Sequence, residues 1–315
     1  RPDVLVVAAL LHDIGKAELV EHSVAGEPIA RKIARRMGFD DESTELIATL
    51  VRWHLLLPEI AMSRDPDDPA TVESVVARVG TPEALDLLHA LTEADARATA
   101  PQAWTPWRAS LVGRLVDHAK IAAGGGDTPP DDPADDIDLG EGPLPRVRVE
   151  PTDSGSRVSV ASADRVGLLA DVAAVLGLQR ISIRAARAWS LGDLGVSVWD
   201  VAEPELDARV LRERLDAMIS GRLDVARLSR PAADSLPPVV AIRPDASQRC
   251  TVIEVRTADR PGVVHVVCKA LAALDISVRS AHIETYGPQT VDVFYVQEVG
   301  GVRPSEERDA EAALR

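Results

Sequence analysis

Apolar side chains recur at the spacing of an α-helix through the first 122 residues of the chain. Segment 43–54, STELIATLVRWH, places five side chains on one face of a predicted helix: Leu46, Ile47, Leu50, Val51 and His54. Segment 83–98, EALDLLHALTEADARA, does the same with Leu85, Leu88, Leu91, Thr92 and Asp95. Ser43 and Pro82 suit the starts of these two helices. The pattern predicts an all-helical region over residues 1–122.

The pattern then changes twice. Residues 123–145 are rich in Gly, Pro and Asp, and such a composition buries little apolar surface, so it predicts a flexible acidic linker. Beyond the linker, short β-branched runs are typical of strands: RVSVAS (157–162), VSVW (196–199), TVIEV (251–255) and VDVFYV (291–296).

The part after the linker also repeats itself. Residues 163–187 align without gaps onto residues 258–282, with ten of 25 positions identical at a constant offset of 95 residues. This self-similarity indicates two copies of one strand–turn–helix–strand unit. We expect the copies over residues 146–235 and 236–315, with the possibility that they pair within one chain. VVAI (239–242) is a candidate for a fourth strand borrowed by the second copy.

Composition and charge restrict the function. The net charge of −15 over 315 residues argues against nonspecific binding to nucleic acid or to an anionic membrane. The two cysteines form no disulfide framework and no zinc-binding spacing, which suits a reducing cytoplasm. The longest apolar run, VLVVAALL (4–11), has eight residues, whereas a membrane span needs about 20. The chain opens on Arg1 in the middle of a pattern, which is typical of a piece of a longer protein.

The first candidate chemistry is a histidine beside an aspartate in the apolar segment AALLHDIGKAEL (8–19), predicted to be helical. Burying an isolated carboxylate is expensive, so Asp13 is expected to pair or to bind a metal. For His12 and Asp13 alone, a solvated aspartate beside a packed histidine is the simpler alternative. Lys16, one turn further on, could contact a substrate phosphate or extend into solvent.

Three further residues favour a metal site. His22 follows the same segment after a short break, His54 ends the apolar face of its helix, and Asp95 lies on the apolar face of another. Several separate segments therefore each direct a nitrogen or oxygen ligand inward. Histidine and aspartate together suit magnesium or a first-row divalent metal, which would activate water as a nucleophile.

These residues resemble a known family. LLHDIGK, His22, VRWHLLLPEIAMSRD and LTEADARAT are similar to the HD-type metal phosphohydrolase domain. More narrowly, they resemble the HD domain of the bifunctional PII uridylyltransferase/uridylyl-removing enzymes, in which two ACT domains follow. The resemblance implies a multidomain α and α+β fold: an all-helical HD-type domain followed by two ferredoxin-like βαββαβ ACT domains, with ADRVG and ADRPG as their strand-to-helix turns.

The resemblance also implies roles for the candidate residues. His12 and Asp13 match the paired ligands of the HD family, Asp95 matches its last aspartate, and His22 and His54 match histidines that serve a second metal or the phosphate. The expected metal is Mg²⁺ or Mn²⁺. In the family, the first histidine ligand lies on a helix before the position of Arg1, and a nucleotidyltransferase domain is also present. We therefore expect this chain to hold its metal weakly and not to transfer UMP.

The repeated turns are candidate binding sites for a small anion or amino acid, because free N–H groups at the start of a helix can hold a carboxylate. The candidates are Asp164, Arg165, Gly167, Asp259, Arg260 and Gly262. The alternative is structural, with the two aspartates as N-caps or turn residues and with Pro261 at a first helical position. The family resemblance implies glutamine as the ligand.

The expected function is a glutamine-responsive, metal-dependent removal of UMP, or AMP, from a modified PII signalling protein in nitrogen regulation. PII would be the protein partner, and the ACT domains could form a homo-oligomer. One alternative is a guanosine polyphosphate hydrolase, although a synthetase domain separates HD and ACT modules in that family. The other is an amino-acid sensor whose HD domain is vestigial.

Overall fold

A computed structural model describes residues 1–17, 20–100, 103–126, 139, 141–226, 228, 237–244, 246–286 and 289–298. The chain divides into two compact units, residues 1–131 and 132–315. Most of the predicted linker, residues 127–138 and 140, lies outside the described residues, as do residues 299–315.

The described residues of the first unit form seven helices: α1 (Pro2–Leu11), α2 (His22–Met37), α3 (Asp41–Trp53), α4 (Leu56–Ser63), α5 (Pro69–Val79), α6 (Pro82–Thr99) and α7 (Pro106–Ala123). The all-helical prediction for this region is confirmed. The start of α6 shows how the sequence sets a helix boundary. The Thr81 hydroxyl accepts a hydrogen bond from the Ala84 N–H, and Pro82 takes the first helical position, where no N–H is needed.

Helix α3 begins two residues earlier than its pattern predicted. Its N-cap is Asp40, whose carboxylate accepts a hydrogen bond of 2.7 Å from the Ser43 N–H, so Ser43 lies in the first turn rather than at the cap. The apolar face remains as predicted, with Ile47, Leu50 and Val51 fully buried. The cap residue moves the boundary but does not change which face of the helix is buried.

The described residues of the second unit form one antiparallel sheet with three helices. The strands are β1 (Arg146–Thr152), β2 (Gly155–Ala163), β3 (Ile183–Leu191), β4 (Leu194–Val201), β5 (Val239–Ile242), β6 (Thr251–Ala258), β7 (Ile276–Tyr286) and β8 (Gln289–Glu298). The helices are α8 (Leu168–Leu178), α9 (Ala208–Ile219) and α10 (Val263–Ala272). The strand order is β1-β2-β4-β3-β7-β8-β6-β5. All four β-branched runs lie within strands, as predicted.

The order of strands within each repeat differs from the predicted βαββαβ. The described order is ββαββα in the first repeat and ββαββ in the second, with β1 beside β2 and β5 beside β6. The edge position next to β2 accepts any antiparallel strand, and β1 reaches it through a two-residue turn, Asp153–Ser154. VVAI forms β5, and the repeats join within the chain through β3 and β7. Pairing with a second chain stays a prediction.

Both repeats share one core between the helices and one face of the sheet. Trp199 of the first repeat and Phe294 of the second are fully buried in the same apolar cluster, together with Leu176 and Leu271 of the helices. Every residue of α8 except Asp171 is buried. A helix covered on all sides needs no polar face, which explains the continuous apolar run in its sequence.

Among the described residues, no single helix is long and apolar enough to cross a membrane. One pair of consecutive helices, α3 and α4, meets the length and composition criteria together but is bent by 42°.

Candidate metal centre and ligand pockets

The His–Asp pair lies in the turn that follows α1. The predicted continuation of the helix past Leu11 is wrong, because His12 is the C-cap and residues 12–17 form turns. The Ile14 N–H donates to the Leu11 carbonyl at 3.0 Å, and the Lys16 N–H donates to the Asp13 carbonyl at 3.0 Å. Glu18 and Leu19, at the end of the predicted helix, lie outside the described residues.

Gly15 makes this turn possible by its close approach to α2. A Cβ at Gly15 would lie 2.0 Å from the carbonyl oxygen of His22 and 2.7 Å from the backbone nitrogen of Gly26. Only a residue without a side chain fits there. The contact holds the turn carrying Asp13 against the first turn of α2, where His22 is the first helical residue.

The side chains of His12, Asp13, His22, His54 and Asp95 converge at one place. His12 Nε2 lies 3.3 Å from Asp13 Oδ2 and 3.4 Å from Asp95 Oδ1. Asp13 Oδ1 lies 3.5 Å from His22 Nε2 and 3.9 Å from His54 Nε2. The two histidine Nε2 atoms, of His22 and His54, are 3.2 Å apart. Residues from α1 to α6 thus meet, as the sequence predicted that ligands from separate segments would.

Backbone contacts fix the tautomers of two of these histidines. His12 Nδ1 lies 2.8 Å from the Ala9 carbonyl oxygen, and His54 Nδ1 lies 2.8 Å from the Val51 carbonyl oxygen. A carbonyl only accepts hydrogen bonds, so each Nδ1 donates a proton. In the neutral rings, both Nε2 atoms then present lone pairs to the centre. This is the arrangement of metal-binding histidines, whose other nitrogen commonly donates to a backbone carbonyl.

Burial and charge keep the centre in its ligand form. Burial lowers the pKa of His54, whose side chain is 1% exposed, and so favours the neutral ring. Burial acts to raise the pKa of Asp13, but the hydrogen bond from Lys16 and the nearby positive charges outweigh it, so its pKa is lowered. Asp13 is therefore a carboxylate at neutral pH.

The donor set fits a divalent cation. One ligand atom each from Asp13, His22 and His54 lies within 4.8 Å of the other two, and His12 and Asp95 adjoin this group. Lone pairs and carboxylate oxygens that face one another without a shared proton repel unless a cation lies between them. Imidazole and carboxylate ligands suit magnesium, manganese or another first-row metal.

Lys16 and Glu21 lie at the outer side of the centre. Lys16 is 64% exposed and its ammonium group contacts Asp13 Oδ2 at 2.5 Å. The Glu21 carboxylate caps α2 by accepting hydrogen bonds from the N–H groups of Ser23 and Val24, and it lies 3.6 Å from His22 Nδ1. Glu21 was expected only to face solvent, although a negative charge directly before a helix favours the helix start.

The structure corrects the predicted caps of the two repeated turns. Helices α8 and α10 begin after Gly167 and Gly262, which adopt the left-handed conformation with φ of 88° and 91°, and neither helix has a side-chain cap. Asp164 and Asp259 lie three residues before these glycines, too early to cap, so the predicted N-cap role is wrong. Pro261 lies two residues before the start of α10 rather than at its first position.

Each turn lines a cavity of its own. Asp164, Arg165 and Gly167 line a cavity of about 410 Å³. Asp259, Arg260 and Gly262 line a second cavity of about 170 Å³. All six predicted binding residues therefore lie at cavities, three at each.

Two residues that matter here were missed from the sequence. The sequence analysis assigned no role to Gly15 of HDIGK. A glycine within an otherwise helical pattern was the feature that could have indicated a helix end or a close contact there. Asp292, in VDVFYV, lies on the same face of β8 as the buried Phe294 and is itself fully buried. A carboxylate in phase with core residues of a strand was the available signal.

Comparisons with known proteins agree with this centre. Residues 1–100 match the HD domain family. The convergent His12, Asp13 and Asp95 lie within the part of the chain that matches the HD domain.

A second comparison covers nearly the whole chain, which is homologous to a C-terminal part of bifunctional uridylyltransferase/uridylyl-removing enzymes. The resemblance that the sequence predicted is confirmed. The relative from Streptomyces coelicolor is 40% identical, covering 94% of this chain and 43% of that protein. The relative from Gluconobacter oxydans is 34% identical, covering 95% and 39%. The relative from Mycobacterium tuberculosis (strain CDC 1551) is 31% identical, covering 94% and 40%. The chain thus spans about two-fifths of the length of these relatives.

Among solved structures, an unknown protein from Galdieria sulphuraria aligns with 50% of this chain and 87% of its own at 18% identity. The TM-score of 0.18 is too low to bear on the fold.

Proposed function

We propose that this chain hydrolyses the bond between a uridylyl group, or an adenylyl group, and a modified PII signalling protein, with Mg²⁺ or Mn²⁺ as cofactor. One observation carries the proposal: the Nε2 lone pairs of His12 and His54 face the Asp13 carboxylate at 3.3 and 3.9 Å. The homology with uridylyl-removing relatives supports the substrate class. Only the hydrolytic activity is proposed, because the candidate metal centre lies in residues 1–100, which match the HD domain.

The reaction is the hydrolysis of a phosphodiester. A water oxygen bonds to phosphorus, the bond from phosphorus to the tyrosine oxygen of PII breaks, and a proton reaches that oxygen. UMP is released, and the tyrosine side chain of PII is left unmodified. A divalent cation in such a centre stabilises phosphoryl charge and makes water more acidic. His12, Asp13 and Asp95 would hold the cation, with the backbone carbonyls of Ala9 and Val51 fixing the rings of His12 and His54.

Lys16 and His22, which both reach solvent, are proposed to meet the substrate. The side chain of His54 is 1% exposed, whereas those of His22 and Lys16 are 25% and 64% exposed. A lysine ammonium at this position suits a phosphate oxygen as a point charge. We assign phosphate contact to Lys16 and His22, and cation binding to His12, Asp13, His54 and Asp95.

We further propose that the two repeats are ACT domains that bind glutamine as an allosteric effector. The cavities at both repeated turns and their arginine side chains support this assignment, because N–H groups at a helix start together with an arginine can hold a carboxylate. Glutamine is expected to raise the rate of hydrolysis. A coupling of about 1–3 kcal/mol corresponds to roughly 5- to 150-fold. The two cysteines are buried and are not joined by a disulfide bond, which fits the reducing cytoplasm in which we place the reaction.

Release of UMP from uridylylated PII by the purified chain tests the hydrolytic proposal. We expect Asp13→Ala to lower the rate at least about 100-fold, since one electrostatic group at a reacting centre commonly contributes that much. Asp95→Ala should also abolish Mn²⁺ binding measured by titration calorimetry. Asp86→Ala is the matched control, because Asp86 lies on the same helix but pairs with Lys120 at 2.6 Å.

Three outcomes would contradict the proposal. Normal turnover by Asp13→Ala would remove the mechanism. Hydrolysis of a guanosine polyphosphate in preference to uridylylated PII would transfer the chain to the rival hydrolase class. Glutamine binding without any cation binding would make the chain a sensor with a vestigial HD domain.

A further inference from the structure

The two repeats are related by a local twofold axis. Ala186 of β3 pairs with Ala281 of β7, and the two residues occupy equivalent positions, 95 residues apart. His265 of α10 contacts the Ala170 carbonyl of α8 at 2.8 Å, again across a separation of 95 residues. Equivalent positions that meet one another mark a twofold arrangement. Each local feature of one repeat therefore has a counterpart in the other.

The cavities at the repeated turns are such counterparts. The pocket at Asp259–Gly262, here the ADRPG pocket, is also lined by Ser182 of the first repeat. The pocket at Asp164–Gly167, here the ADRVG pocket, is lined by the equivalent Ser277 of the second repeat. Both are formed by the turn of one repeat and the start of the inner strand of the other. The scaffold thus provides two similar places for one kind of ligand.

One buried side chain makes the pockets unequal. Asp292 lines the ADRPG pocket and is fully buried, and its Oδ1 accepts a hydrogen bond from the Thr290 hydroxyl. Within the part of the chain that the structure describes, Asp292 Oδ2 has no hydrogen-bond partner. The equivalent residue in the ADRVG pocket is Ser197, whose hydroxyl already accepts a hydrogen bond of 2.9 Å from Trp199 Nε1.

The arginines of the two turns differ as well. In the ADRVG pocket, Arg165 forms an ion pair with Asp171 of α8. The position equivalent to Asp171 in the second repeat is Val266, so no carboxylate neutralises Arg260 from there. Arg260 instead donates to the Leu228 carbonyl at 2.7 Å. The ADRPG pocket therefore combines a guanidinium with a buried carboxylate oxygen that lacks a donor.

We propose that the ADRPG pocket, and not its ADRVG counterpart, binds the effector, and that Asp292 selects a ligand with an N–H donor such as an amide or an ammonium group. A buried acceptor without a partner is unfavourable, and a ligand donor would satisfy it. Arg260 and the start of α10 suit the ligand carboxylate. The proposal rests on the glutamine effector proposed above and adds that one ligand binds per chain.

Titration calorimetry of the full chain with glutamine tests this assignment at about pH 8, where Asp292 is ionised. We expect one site per chain. Asp292→Asn should weaken binding by roughly 10- to 100-fold, the range for a hydrogen bond to a charged group. Ser197→Ala, the matched change in the ADRVG pocket, should leave the dissociation constant within about twofold, because it alters no group assigned to the ligand.

Two glutamine analogues show which contact Asp292 makes. Glutamate lacks the amide N–H groups, and 4-carbamoylbutanoate lacks the ammonium group. If Asp292 binds the ammonium group, 4-carbamoylbutanoate should bind weakly and should bind wild type and Asp292→Asn equally. If Asp292 binds the amide, glutamate should bind wild type weakly and Asp292→Asn more tightly, because the substitution removes the repulsion between two carboxylates. If Asp292→Asn loses its native circular dichroism, Asp292→Ser repeats the test. This substitution introduces the residue type that Ser197 provides in the ADRVG pocket.

The outcomes separate this inference from the function on which it rests. Glutamine binding that survives both Asp292 variants, or that Ser197→Ala abolishes, overturns the assignment while the glutamine effector stands. Two equal sites per chain overturn it as well. A wild-type chain that does not bind glutamine ends both the effector proposal and this inference, whereas UMP release by the HD domain stays a separate measurement.

Discussion

The carboxylates at the two candidate sites, Asp13 in the first unit and Asp292 in the second, have pKa shifts of opposite sign. Around Asp13, burial is outweighed by Lys16 and the neighbouring histidines, so the pKa is lowered. Around Asp292, burial raises the pKa to about 7, the charge of Asp259 adds to it, and the Thr290 hydrogen bond opposes it only in part. The same side chain thus suits a cation in one unit and a hydrogen-bond donor in the other.

The two sites are also assembled differently. The metal centre takes His12, His22, His54 and Asp95 from segments that occur once, so each side chain has a single place in the fold. The ligand pockets come from a duplicated scaffold and differ in individual residues such as Asp292. A substitution at the candidate metal centre should therefore abolish cation binding. A substitution in one of the two ligand pockets should instead change which pocket the ligand prefers.

The largest expected effect comes from Gly15→Ala. The new Cβ would overlap the His22 carbonyl at 2.0 Å, and backbone cannot move aside as a flexible side chain does. We expect a loss of about 5 kcal/mol in the free energy of unfolding, the exceptional range for one substitution, together with loss of Mn²⁺ binding. Urea unfolding and titration calorimetry measure the two effects.

Gly113→Ala is the control for that change. Gly113 lies within α7, and a Cβ there meets no atom within 4 Å. Alanine in a helix should stabilise the protein by about 0.5–1 kcal/mol. Equal effects of the two substitutions would show that close packing at Gly15 does not hold the metal centre together.

The next effect is a pH dependence of stability that belongs to the second unit. Asp292 binds its proton more tightly in the folded protein, where its pKa is about 7, than in the unfolded chain, where its pKa is the ordinary 3.8. The contribution of Asp292 to the free energy of unfolding is complete below its pKa in the unfolded chain and is lost as the pH rises through about 7. The loss is at most ~4 kcal/mol, from about three pH units at 1.36 kcal/mol each. Asp292→Asn should remove this slope, measured by hydrogen exchange of β8 amides between pH 4 and pH 8.

Two observations assign this pH dependence of stability to Asp292. The ionisable groups acting on Asp292 include Asp259 and the buried thiol of Cys268, whose pKa burial and Asp292 raise to about 12, so Cys268 stays neutral over this range. Asp193→Asn, on the exposed turn between β3 and β4, removes one charge from the same unit and should keep the slope. A slope that persists in Asp292→Asn would assign it to other groups.

The smallest expected effect compares the two left-handed glycines. Gly167→Ala and Gly262→Ala both place a Cβ at positive φ, which costs about 1–2 kcal/mol. At Gly262 the Cβ would also lie 2.8 Å from Leu228 Cβ, whereas at Gly167 its nearest neighbours are 3.7 Å away. Gly262→Ala should therefore be the more destabilising by about 1 kcal/mol, the low end for overpacking. Equal melting temperatures would mean that Leu228 moves freely.

Sequence periodicity was sufficient where burial alone decides the structure. The apolar spacing of residues 43–54 and 83–98 predicted α3 and α6, and short β-branched runs predicted the strands that contain Val158 and Phe294. The repeat at an offset of 95 residues predicted two similar turns, and both glycines adopt the same conformation. One face of each of the two helices is buried, and local spacing records that face, whereas consecutive residues of the two strands are buried on both faces.

The failures occur where a distant backbone contact decides. α1 ends at Leu11 because the following turn packs Gly15 against His22, a contact that no local pattern contains. The predicted capping by Asp164 failed because the left-handed Gly167 places the helix start further along the chain. The predicted βαββαβ order ends each repeat with a strand after its second helix, whereas the described β1 precedes β2 and pairs with it through a two-residue turn.

The pairing of Ala186 with Ala281 has an evolutionary consequence. In a homodimer of a single repeat, symmetry would place every substitution on both sides of the axis at once. Covalent fusion of the two copies releases each from the other, because Asp292 can arise in one half while Ser197 is kept in the opposite half. A linear gene encoding both halves thus allows two unequal pockets to descend from a symmetric ancestor.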